Sequence, residues 1–238
     1  MTAPALRCPS AGLFYVFCDE KPLRQDGSLA IGSVLVPQQR WSALSQDEQQ
    51  LRAPKDCERM ERLRNVLATV DGVGLIAWAK VDTIEQSGRR DSTSDVTEMA
   101  RSNNIWGIAM ATGAYRCIIW ARTLGLEVRT ADLYYDTYSL GNDHRTALHN
   151  VLQERIAKDV RKARADGHAP PDFRPRIRRV VDTAKAKAIA TSTKYQSGVM
   201  LAHLLLQQAL ELRSAGSDGR IAVVDNSGLV ADFIGHFS

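Results

Sequence analysis

Short apolar runs bounded by polar breaks dominate the chain. Leu13 to Cys18 (Leu-Phe-Tyr-Val-Phe-Cys) follows Gly12 and stops at Asp19-Glu20, which predicts a buried strand with carboxylates at its exit. A polar stretch, Lys21 to Gly27, gives way to Ser28 to Val36, closed by Pro37, whose missing N–H and fixed φ end a strand. The polar connection between these two runs predicts a hairpin. From Asp56 to Val70 the apolar residues Met60, Leu63, Leu67 and Val70 recur every three or four positions among Glu and Arg, the spacing of a helix that packs by one face. Asp71-Gly72-Val73-Gly74 reads as a turn and Leu75 to Val81 as a third strand.

The second half alternates. Gln86 to Asn104 is almost wholly polar and predicts an exposed loop. Ile105 to Leu124 is apolar on nearly all sides, as expected of a helix buried in the middle of a fold, and Gly125 ends it. Ala131 to Tyr138 predicts a fourth strand, followed by a polar helix from about Asp143 to Ala165 and a proline-rich break at Gly167 to Pro175. Arg176 to Val181 predicts a fifth strand reaching Asp182, Tyr195 to Arg213 a deeply packed helix, and Ile221 to Val224 an added strand. This order specifies an α/β fold: a mixed sheet of three antiparallel strands, then alternating helices and strands, with helices on both faces.

Composition adds limits to this pattern. The 238 residues are 44% apolar and 24% charged, ordinary for a folded chain, and the length suits one elaborated domain over residues 1–238. Within it a helical insertion is expected at about 43–71 and an extension at about 214–238. No apolar run reaches the ~18 residues that a membrane-spanning helix needs, and Met1 to Pro9 carries no leader-like stretch, so the expected compartment is the cytosol, away from membranes. Cys8, Cys18, Cys57 and Cys117 lie far apart without a Cys-x-x-Cys pair and read as reduced thiols. A formal charge of +4 is compatible with a polyanionic partner and is common in proteins that have none. The chain has no phosphate-loop motif, no dinucleotide fingerprint, no nucleophile elbow and no His-Glu-x-x-His, which argues against the corresponding NTPases, dehydrogenases, hydrolases and zincins.

The candidate chemistry lies at strand ends. Asp19 follows the first strand, Asp136 lies near the end of the fourth and Asp182 follows the fifth. If the first and fourth strands are parallel neighbours about 4.8 Å apart, their carboxylates can share a cation. Two divalent ions about 4 Å apart would then activate a water and stabilise the leaving oxygen of a phosphodiester. Each residue has a plainer reading. Asp19 also suits a turn cap, Asp132 and Asp136 a solvated position, and Asp182 a helix cap or a partner of Arg178 or Arg179. Glu20 falls on the opposite sheet face from Asp19 if the strand continues. His203 sits amid Val199, Met200 and Leu206, where a hydrogen-bonded core histidine competes with a ligand. Arg174, Arg176, Arg178 and Arg179 fall in a basic segment that suits either a nucleic-acid backbone or a solvated face.

Phe17-Cys18-Asp19-Glu20, a polar turn, and Leu29 to Val36 together resemble the opening of the bacterial family called domain of unknown function 3800, in which a strand ending in Asp-Glu-Ser-Gly precedes an apolar strand. Leu133-Tyr134-Tyr135-Asp136 resembles that family's central strand and its aspartate. Tyr195-Gln196 with Met200-Leu201-Ala202-His203 resembles its closing Gln-Leu-Ala-Asp helix motif. The resemblance spans Leu13 to about Leu212 and implies a ribonuclease H-like fold and a Mg²⁺- or Mn²⁺-dependent nuclease acting on DNA or RNA, of a mobile element or defence locus. It implies Asp19 and Asp136 as central ligands, completed by Glu20, Asp182 or His203. The chain departs from the pattern at Lys21-Pro22, which replaces Ser-Gly, and at His203, which replaces the final aspartate. The competing expectation is a catalytically inactive ribonuclease H-like module that binds nucleic acid or a protein.

Overall fold

The computed structural model describes residues 12–23, 28–41, 56–80, 109–110, 112–135, 165, 176–182, 192–209, 212 and 219–225. They build a six-stranded mixed sheet: β1 (Leu13–Leu23), β2 (Ser28–Pro37), β3 (Val73–Lys80), β4 (Thr130–Tyr135), β5 (Arg176–Asp182) and β6 (Ile221–Asp225). The strand order is β5-β4-β1-β2-β3-β6. β2 runs antiparallel to both of its neighbours, and the β1–β4, β4–β5 and β3–β6 pairs are parallel. β2 is therefore alone in its direction, and β1 lies inside the sheet, between β4 and β2.

Strand alternation sends side chains to two separate cores. On one face Phe14, Val16, Cys18, Leu29, Ile31, Leu75, Ala131, Leu133 and Tyr135 pack against the helix of residues 112–123 (α2), whose buried side chains include Ala114, Cys117, Ile118 and Ala121. On the other, Tyr15, Phe17, Val34, Val36, Ile76 and Tyr134 pack against α1 (Asp56–Thr69) and α3 (Ser192–Gln207). Helices on both faces follow from strands that are apolar on both sides. Among the described residues no helix is long and apolar enough to cross a membrane.

Both α1 and α2 end in the same hydrogen-bonded motif. After α2, Leu126 N–H donates to the Ala121 carbonyl and Gly125 N–H to that of Arg122, with Gly125 at φ 85°. After α1, Gly72 N–H donates to Leu67 and Asp71 N–H to Ala68, with Asp71 in the left-handed region at φ 51°. Asp71 also meets Arg40 at 3.3 Å and Arg220 at 3.6 Å, contacts that help hold a non-glycine residue in that conformation.

Several expectations change. β1 does not stop at Asp19-Glu20; the ladder to β2 continues through Lys21↔Ala30 to Leu23↔Ser28, because backbone pairing carries the strand past the point where its side chains turn polar. β3 begins at Val73 rather than Leu75, with Gly74 already in register with Ile221 of β6. Asp132, for which a solvated position was one reading, is fully buried. Cys18 and Cys117 are buried free thiols; desolvation pushes Cys18 up to about 12, against the opposing contact with Ser33, and raises Cys117 as well, so both stay protonated and inert. The expected loop at 86–104, most of the polar helix at 143–165, the proline-rich break and most of the extension at 214–238 lie outside the described residues.

Candidate functional site

The site forms where α3 crosses β1 and β2, and missing side chains create it. Asp19 pairs with Gly32 across the β1–β2 ladder, and directly opposed residues share a face. A Cβ on Gly32 would lie 2.7 Å from the Ala202 carbonyl oxygen and 2.7 Å from Leu206 Cγ, so only glycine lets the helix backbone descend here. About one turn before Ala202 on α3, a Cβ on Gly198 would lie 2.4 Å from the Phe17 ring. Phe17 is itself fixed by stacking on Trp41 (4.6 Å) and Tyr134 (5.3 Å).

This close seating brings His203 to Asp19. His203 Nδ1 lies 2.9 Å from Asp19 Oδ2, while Asp19 Oδ1 accepts the Glu20 backbone N–H at 2.9 Å. His203 is not a core residue; its side chain is 49% exposed, whereas that of Asp19 is 14% exposed. Its other nitrogen, Nε2, meets the Gln207 amide at 3.0 Å, one helical turn further along. The Asp19 hydrogen bond raises the His203 pKa, against partial burial and Lys21.

The remaining candidates are distributed unevenly. Glu20 pairs with Ile31, whose side chain belongs to the α2 core, so Glu20 lies on the opposite face from Asp19. Asp182 ends β5 in register with Tyr135, which in turn pairs with Cys18. Asp136 and Arg174 lie outside the described residues. Arg176 is exposed at the start of β5. Arg178 and Arg179 both pair with Asp132: Arg178 donates from Nε (2.9 Å) and Nη2 (2.6 Å), and Arg179 from Nε (3.1 Å) and Nη2 (2.8 Å). Burial raises the Asp132 carboxyl, and the two arginines overcome it, leaving its pKa below the ordinary value.

Gly32, Gly198, Gln207 and the Asp132 pairing were not among the residues singled out from the sequence. Gln207 was accessible to it, four residues after His203. Gly32 had a signal too, a lone glycine inside an apolar strand, which marks a close approach of another backbone.

The separation of Asp19 and His203 is that of a hydrogen bond, and it is also a spacing that two neighbouring ligands of a divalent ion would have. Adjacent ligands of an octahedral cation with bonds of about 2.1 Å stand roughly 3 Å apart, and the Nδ1–Oδ2 separation is 2.9 Å. Among the described residues no third His, Cys, Asp or Glu joins them at metal-binding distance. No protein-family model matches the chain, and no curated protein matches its sequence.

Proposed function

We propose that the protein is a ribonuclease H-like, divalent-metal-dependent phosphodiesterase acting on nucleic acid. The observation that carries this reading is the meeting of Asp19 and His203, 184 positions apart: Asp19 is one of the two central ligands that the family resemblance implies, and His203 is one of the three residues it offers to complete them. The sheet supports it as well. Three strands in antiparallel succession, then β4 and β5 added parallel beside β1, are the order such a fold requires.

Asp19 would hold a cation through its carboxylate and His203 through Nδ1, with Asp136 the other central ligand that the resemblance implies. Gln207 Nε2 donates to His203 Nε2, which leaves the ring proton on Nδ1 facing Asp19; binding through Nδ1 would require that proton to move to Nε2 and the Gln207 amide to turn its oxygen toward it. A bound cation supplies an activated water and stabilises the leaving oxygen. An imidazole in the donor set favours Mn²⁺ over the harder Mg²⁺. Cleavage of labelled single-stranded, duplex and branched DNA and RNA tests the reading: Mn²⁺-dependent cleavage by the wild type, lost in Asp19→Asn, is expected. Retention of metal-dependent cleavage by that variant would overturn it.

A second reading, a catalytically inactive module of the same fold that binds nucleic acid or protein, draws on the direct Asp19–His203 hydrogen bond, which satisfies both groups without an ion. Calorimetry separates the two, since the inactive module shows no Mn²⁺ binding that depends on Asp19.

A further inference from the structure

The β4–β5 ladder carries an irregularity with a chemical consequence. Ala131 pairs with Ile177 and Asp132 with Arg179, leaving Arg178 as the extra residue of a bulge. In a regular strand, consecutive side chains point to opposite faces. Here both guanidinium groups reach the same carboxylate, because the bulge turns Arg178 to the side of Arg179. Ile177 and Val180, on either side of the pair, both pack toward the α2 core, as a one-residue slip in alternation demands.

The resulting cluster is asymmetric. Asp132 is fully buried, whereas the arginine side chains are 46% and 52% exposed. A guanidinium carries five N–H donors, and each gives Asp132 only its Nε and one Nη2 hydrogen, so more than half of each fork faces away from the carboxylate. One negative charge against two positive ones leaves a net positive pair with fixed, outward-facing planar donors, the chemistry that suits a phosphate oxygen. Asp132 pairs with Tyr15, whose ring lies in the α3-side core, so the cluster shares a sheet face with Asp19. Four residues of β1 and one strand spacing put the two carboxylates about 14 Å apart, close to four nucleotides of duplex rise.

We infer that Arg178 and Arg179 form a phosphate clamp for the nucleic-acid backbone, held by Asp132 and set several nucleotides from the Asp19–His203 pair. This rests on the proposed nucleic-acid substrate but not on catalysis, so binding is measured in EDTA. The experiment is fluorescence anisotropy of a labelled DNA duplex with the full chain across a series of NaCl concentrations, for the wild type and for Arg178→Ala/Arg179→Ala. Because Asp132 offsets one of the two charges, the double variant is expected to bind more weakly, with the slope of log K against log salt reduced by about one. Arg178→Gln and Arg179→Gln, made singly, leave Asp132 one bidentate partner and keep the test available if the alanine pair does not fold; each is expected to weaken binding. Lysine at both positions keeps the charge and loses the fork, so the slope persists while affinity falls. Unchanged affinity and slope in the folded variants would reduce the cluster to a structural ion pair and overturn the inference, as would no binding by the wild type at low salt. The catalytic reading stands or falls separately on cleavage by Asp19→Asn.

Discussion

Gly32 stands opposite Asp19 in the β1–β2 ladder, and its missing side chain is the space into which α3 lowers the Ala202 carbonyl. The relationship makes a glycine, rather than a ligand, the residue that sets the height of His203 above the carboxylate. Replacing Gly32 by Ala forces a contact of 2.7 Å against backbone, which cannot rotate away, so α3 must rise. The variant is expected to lose about 1–3 kcal/mol of stability in urea denaturation and to lose Mn²⁺ affinity with it. Mn²⁺ affinity unchanged from wild type would show that the helix height does not control the site.

The Asp19–His203 contact also has a pH signature. Asp19 raises the His203 pKa above its ordinary value near 6.5, so this pair's contribution to stability is fully present below about pH 6.5 and is lost as pH rises through the folded value. Metal binding runs the other way, because an imidazolium has no lone pair for a cation. Mn²⁺ affinity is therefore expected to climb with pH through that same raised value. Asp19→Asn should bring the His203 pKa, followed by NMR, back toward 6.5. A His203 titration indifferent to Asp19→Asn would remove the contact from solution.

How far the sequence could be read depends on the range of the determining interaction. Leu13 to Cys18 and Ser28 to Val36 announce their strands because burial on both faces leaves a continuous apolar run. Asp19 was a candidate from its place at the end of an apolar run and again through the resemblance, but its partner was not legible, since nothing within β1 says that a helix begun at Ser192 returns over it. His203 was misread on periodicity: Val199 and Leu206 are buried, yet His203 lies on the exposed side of α3, where the helix meets Asp19 at the rim of its contact with the sheet. Asp132 was the hardest. Its pairing with two arginines depends on a bulge in a strand more than 40 positions away, and a bulge breaks the alternation on which strand reading rests.

Asp132 should give the clearest acid response among the described carboxylates. Its folded pKa lies below the unfolded value near 3.9, so the stability it contributes is present above that value and is lost as pH falls through the folded one. Asp132→Asn removes the charge while preserving shape, and about 1–3 kcal/mol is expected to disappear at neutral pH, the half-exposed arginines moderating the cost of breaking a buried pair. The difference between wild type and variant should shrink in urea denaturation as pH falls below the unfolded value. A difference that holds constant with pH would assign the loss to packing instead of charge.

Gly198 and Phe17 provide a test of the seating itself. In an unconstrained helix, Gly→Ala gains about 1 kcal/mol from propensity, so Gly198→Ala would stabilise α3 in isolation. On the sheet, the new Cβ meets the Phe17 ring at 2.4 Å, and that ring cannot yield because Trp41 and Tyr134 stack on it. The clash is expected to win, giving a net loss of about 1–3 kcal/mol. Phe17→Leu alone should also destabilise, by trimming a buried aromatic from its stack. Combined, the two substitutions should cost less than the sum of their separate effects, because the smaller side chain makes room for the methyl group. Strictly additive losses in that double-mutant cycle would mean that Gly198 is not what allows α3 to approach β1, and the placement of His203 would need another cause.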